Sequence, residues 1–150
     1  MAEGGLRFGQ RGVPISVQHL YKIFGPSPLQ VLDRVSSGVT KQALHEATGH
    51  VVGLRDICIE MQAGAIQVVM GLSGSGKSTL IRHINRLIEP TSGRVVVGGQ
   101  DVLAMSPRAL REFRRHQTAM VFQRFALFPH RTVLANAIWL GGAGHGAQAA

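Results

Sequence analysis

The chain has 150 residues, 45% of them apolar, which suits one domain with a buried core. It has no run of about 18 apolar residues, which excludes a membrane-spanning helix, and its first twenty residues set Glu3, Arg7 and Arg11 among glycines, so export by a signal peptide is not expected. The net charge of +8 is concentrated in residues 76–150, ten Lys/Arg against three Asp/Glu. It falls mainly on Lys77 and on helical stretches without interleaved aromatics, so solvated helix faces are expected and a nucleic-acid partner is not.

Residues 1–14 are Gly-rich and expected to be flexible. "ISVQHLYKIF", Ile15 to Phe24, alternates as a strand and "GPSP" breaks it. An insertion over about 28–50 predicts two short helices. Val31, Leu32 and Val35 give the first an apolar face ended by Gly38, and Thr40 caps the second, which carries Ala43 and Leu44 and ends at Gly49. "LRDICIEMQAGAIQVVMG" predicts a hairpin, with Leu54, Ile57, Ile59 and Met61 before a turn at Gly64. Cys58, the single cysteine, excludes an intrachain disulfide and is expected as a small buried hydrophobe in a reducing compartment. The run Ile66 to Met70 has no polar alternation, which predicts a strand buried on both faces, as in a parallel sheet covered by helices.

The loop that follows, "GLSGSGKST", satisfies G-x-x-x-x-G-K-[ST] with Gly71, Gly76, Lys77 and Ser78, between a predicted strand and a predicted helix. Gly71, Gly74 and Gly76 allow successive N–H groups to converge on phosphate oxygens, and the helix N-terminus adds partial positive charge. The expected phosphate-binding set is Gly71, Ser73, Gly74, Ser75, Gly76, Lys77, Ser78 and Thr79, with Lys77 on the β and γ phosphates and the Ser78 hydroxyl on Mg²⁺.

The helix is expected over about Lys77 to Leu87, before Pro90. "TSGRVVVGGQDV" predicts a strand at Arg94 to Val97 closed by Gly98 and Gly99, and Ser106 with Pro107 starts a helix that runs to about His116. "TAMVF", Thr118 to Phe122, predicts another strand, and a last helix begins near Val133. The tail 141–150 is low-complexity.

These motifs resemble the ATP-binding subunits of ABC importers, in the branch serving glycine betaine, proline and other quaternary amines. The resemblance rests on "LYKIFG", the helical insertion before "GLRDICIEMQAG", then "VVMGLSGSGKSTLIRHINRLIEPTSGRV" and "LREFRRHQTAMVFQRFALFPHRTVLAN". It implies an α/β P-loop NTPase fold in which residues 15–140 are the N-terminal part of the ATP-binding domain. It further implies ATP and Mg²⁺ as cofactors, Phe24 as the aromatic that stacks on adenine, and Gln123 as the glutamine whose amide ligates Mg²⁺ beside Ser78 or orients the attacking water and senses the γ-phosphate. Arg124 to His130 corresponds to the surface that meets the transmembrane permease subunits, with Phe125, Leu127 and Phe128 as contacts; His130 has no second ligand nearby in sequence and is not expected to bind metal.

A second ATP-binding subunit, and a place at the inner face of the cell membrane, also follow from the resemblance. The sequence departs from the family after "RTVLANAIW": it carries no LSGGQ signature, acidic strand or switch histidine. An N-terminal fragment unable to hydrolyse ATP alone, insoluble or molten by itself, is therefore expected. The alternative is a small nucleotide-binding regulatory module that does not hydrolyse ATP.

Overall fold

In β1 (Ile15–Phe24) the buried residues are Val17, Leu20 and Ile23, a spacing of three that a regular strand cannot produce. The cause is a series of irregularities where β1 pairs antiparallel with β2 (Val51–Met61). Val17 pairs with Ile59 and Leu20 with Ile57, so Gln18 and His19 face the single residue Cys58; Lys22 then pairs with Leu54, so Arg55 and Asp56 face Tyr21 alone. His19 and Asp56 take φ of 46° and 47° at these complementary bulges, which re-aim their side chains.

The computed structural model describes residues 12–122 and 130–136. Residues 1–104 and 105–150 form two compact units. In the first, β3 (Ser92–Val97) lies on the other side of β1 and is followed by the short β4 (Gln100–Asp101), giving an antiparallel sheet of order β2-β1-β3-β4. Gly98 and Gly99, both with positive φ, make the β3–β4 turn.

The insertion folds as the sequence indicates. A 3-10 turn at Pro28–Val31 leads into α1 (Leu32–Ser36), and Gly38 takes φ +96° beyond it. The Thr40 side chain accepts from Ala43 N–H at the start of α2 (Lys41–Thr48), which Gly49 closes in the left-handed conformation. Val31, Val35 and Leu44 bury against Ile23 and Val52, each worth about 1.5–3 kcal/mol of burial. This cluster fixes the β1 end at which Phe24 emerges. After the phosphate loop, α3 (Lys77–Ile84) is shorter than the sequence suggests, because Arg86 leaves helical geometry with φ 52°.

In the second unit α4 (Pro107–His116) starts as expected, with the Ser106 hydroxyl accepting from Ala109 N–H and Pro107 in the first turn. Phe113 is its buried residue, while Arg108, Arg111 and Arg115 are exposed and Arg114 is half-buried. Residues 133–136 are helical.

Three expectations are corrected. Ile66 to Met70 is not a strand, and Ile66, Val68 and Met70 are exposed; Thr118 to Phe122 is not a strand either, and Val121 is exposed. Neither segment joins the β2-β1-β3-β4 sheet of the described residues, and an apolar run without adjacent strands has no ladder to join and no face to cover. Cys58 is exposed rather than buried. The apolar residues Ile57 and Ile59 occupy the covered face of β2, and strand alternation puts Cys58 on the other.

Candidate functional site

The phosphate loop begins with a turn in which Ser75 N–H donates to the Leu72 carbonyl at 3.2 Å. Gly74 and Gly76 have φ of +77° and +95°, conformations that L side chains adopt only with strain. Gly76 has a second constraint: a Cβ there would lie 2.6 Å from the Gly53 carbonyl oxygen and 2.9 Å from Leu54 Cδ2. A Cβ on Gly71 would lie 2.7 Å from Ser75 Oγ, so the loop closes tightly on itself.

Gly76 is also the N-cap of α3 and offers no side-chain oxygen, whereas Thr40 and Ser106 cap α2 and α4 with theirs. The first intrahelical bond runs from Leu80 N–H to the Gly76 carbonyl at 2.8 Å. The N–H groups of Lys77, Ser78 and Thr79 therefore stand at the positive end of the helix without a side-chain cap, the arrangement that receives phosphate. The Lys77 ammonium donates to the Gly71 carbonyl at 2.6 Å, the Leu72 carbonyl at 2.7 Å and Ser75 Oγ at 3.2 Å, so its charge already lies over the loop. Ser73 and Ser78 are exposed. The glycine geometry, uncapped amides and central ammonium fit the phosphates of a nucleotide, and the Ser78 hydroxyl offers a hard oxygen ligand of the kind Mg²⁺ takes.

Phe24 and the loop at Gly76 both approach one residue of β2, Gly53. Gly53 is extra in the ladder, since Lys22 pairs with Leu54 and Ile23 with Val52. A Cβ on Gly53 would lie 2.7 Å from Phe24 Cε2, so the Phe24 ring and the loop at Gly76 both pack against this bulge. Phe24 is 40% exposed, and Lys22 Nζ stands over its ring, 5.1 Å from the centroid. Beyond it His50 Nε2 lies 2.7 Å from the Pro26 carbonyl and fixes the turn at Gly25. Lys22 and Gly53 lie in the quoted "LYKIFG" and "GLRDICIEMQAG" segments and His50 just before the second, but their contacts depend on the apposition of β1 and β2 and are not written in either segment alone. Gln123, the other expected Mg²⁺ ligand, and Arg124 to Pro129 lie outside the described residues, and His130 is exposed in a turn.

His83, in the helix behind the loop, is fully buried, with Nδ1 2.7 Å from the Thr79 carbonyl. Burial is the main cause that holds its imidazole below the ordinary 6.5; the Thr79 carbonyl opposes the shift and the Lys22 ammonium adds to it. The folded chain thus binds fewer protons than the unfolded chain as pH falls past 6.5. Stability is full above that value and is lost below it, at up to about 1.4 kcal/mol per pH unit. Urea midpoints at pH 7.5 and 5.5 measure the loss, and His83→Gln should flatten the difference; an equal slope in the variant would assign the loss to other groups.

The description "ABC transporter" belongs to the family model that matches residues 54–150. The glycine betaine/proline betaine transport system ATP-binding protein ProV of Salmonella typhimurium is 48% identical over 124 residues, covering 83% of this chain and 31% of that protein. The glycine betaine transport ATP-binding protein OpuAA of Bacillus subtilis is 47% identical over 127 residues, covering 85% and 30%. The solved dimeric structure of MJ0796, a bacterial ABC transporter cassette, superposes with a TM-score of 0.67 at 26% identity, covering 90% of this chain and 50% of that one. The chain spans about a third of the length of the curated relatives it matches.

Proposed function

Because the chain belongs to the ABC transporter family, we propose that it carries the nucleotide grip of an energy-coupling ATP-binding subunit, in an importer for glycine betaine, proline betaine and similar quaternary amines. The observation that carries this reading is that one residue of β2, Gly53, is approached both by the Phe24 ring and by Gly76, the uncapped start of α3. The names of the relatives at 48% and 47% identity support the substrate class.

In this reading the amides of residues 76–79 and the Lys77 ammonium bind the phosphates, Phe24 stacks on the base, and Ser78 together with Gln123 holds Mg²⁺. When bound, Mg²⁺ neutralises developing charge between the β and γ phosphates. The residues around Arg124–His130 meet the permease, a second ATP-binding subunit completes the pair, and the assembly sits at the inner face of the cell membrane. Residues 15–140 form the N-terminal part of the ATP-binding domain.

Residues 1–150 should bind Mg·ATP without turning it over, since the sequence has neither an LSGGQ signature nor an acidic strand after the loop. Phosphate release measured beside nucleotide binding tests this. Binding with release no greater than that of Lys77→Ala supports the proposal. Release that disappears in Lys77→Ala would show that the chain supplies its own catalytic groups.

A further inference from the structure

On the exposed face of the β1–β2 pair, away from the phosphate loop's residues, His19, Asp56 and Cys58 offer one ligand atom each, all within 4.8 Å of one another. We infer that these three side chains form a binding site for a divalent transition metal of zinc's class. The proposal does not depend on the nucleotide reading.

The backbone builds the cluster. Residues 19, 56 and 58 come from two strands whose complementary bulges set His19 and Asp56 at left-handed φ and bring Cys58 opposite. His19 Nδ1 lies 2.8 Å from Asp56 Oδ1 and 3.7 Å from Cys58 Sγ, and the His19 backbone N–H donates to Sγ at 3.2 Å. Tetrahedral zinc with ordinary bond lengths separates a sulfur from a nitrogen ligand by about 3.5 Å and a nitrogen from an oxygen ligand by about 3.3 Å. The sulfur–nitrogen spacing is therefore already close to the bound one. The shorter nitrogen–oxygen spacing is that of a hydrogen bond; as a metal takes Nδ1 the ring proton moves through solvent to Nε2 and the pair opens to the bound spacing. The Cys58 thiol gives its proton to solvent as the metal binds.

A thiolate, an imidazole and a carboxylate suit zinc or cobalt and discriminate against Mg²⁺ and Ca²⁺, which take oxygen ligands. All three residues are exposed, so water completes the coordination.

The test uses the full chain with Zn²⁺ alone, following the rate at which iodoacetamide alkylates Cys58, read by mass spectrometry on dilute protein. Zinc should slow alkylation with one zinc bound per chain, and millimolar Mg²⁺ should not restore the rate. Asp56→Asn keeps the side-chain shape, and His19→Asn keeps a residue tolerant of left-handed φ. Each should raise the zinc needed for half-protection by about tenfold or more. An alkylation rate indifferent to zinc, displacement by Mg²⁺, or protection at unchanged zinc in both variants would overturn the assignment.

Discussion

Lys77→Ala should remove Mg·ATP binding by residues 1–150, weakening it by about a hundredfold or more. Two charge-assisted hydrogen bonds to phosphate, at about 1.5–3 kcal/mol each, account for a loss of that size. The glycines and the uncapped amides of α3 would remain, but without the ammonium the loop has lost the full positive charge that Lys77 places over it. Lys77 is also bonded to Gly71, Leu72 and Ser75, so the effect on the loop itself must be separated from the effect on the ligand. Those contacts are exposed, and their loss should change the denaturation midpoint of the chain without nucleotide only slightly. Isothermal titration on both proteins, with a urea curve of each, distinguishes the two. A variant that binds nucleotide as tightly as the parent chain would show that Lys77 does not reach phosphate.

The chain should also self-associate as its concentration rises. Ile66, Val68, Met70 and Leu72 are 80%, 64%, 86% and 85% exposed, and residues 66–70 join no strand of the sheet among the described residues; a short exposed apolar stretch outside a sheet is a template for pairing with another chain. The antiparallel sheet and its helical insertion retain a buried core, so association should begin at this segment while the sheet stays formed. Replacing Val68 and Met70 by lysine should raise the monomer fraction severalfold in sedimentation velocity, with the far-UV circular dichroism unchanged. A monodisperse monomer for the parent chain at high concentration would show that residues 66–72 are covered in solution.

The sequence was most legible where one or two neighbouring residues decide the structure. Thr40, Ser106 with Pro107, Gly49 and the Gly98–Gly99 turn each act within a few residues, and each performs its expected role. The turn of the loop was legible for the same reason, since Gly74 and Gly76 adopt the positive φ that nine consecutive residues imply. What failed was non-local. The apolar run 66–70 has the composition of a buried strand, but a strand exists only where another segment pairs with it.

Cys58 was misjudged because composition says small and apolar while its place opposite Ile57 and Ile59 says outward. Gly53 gave no signal: its role depends on register slips between β1 and β2 that bring Phe24 and Gly76 against one bulge. His83 reads in sequence as one more polar residue of a basic helix, and only the packing of α3 shows it buried.

The joining of a base grip and a phosphate grip through Gly53 is tested most directly by equilibrium titration of residues 1–150 and of Phe24→Ala with Mg·ATP and with magnesium tripolyphosphate. One saturable site is expected for each ligand, the two should compete, and Phe24→Ala should weaken ATP by about tenfold, the loss of one stacked base, while leaving tripolyphosphate unchanged. No saturable binding by the folded parent chain, or an equal loss for both ligands in Phe24→Ala, would contradict it.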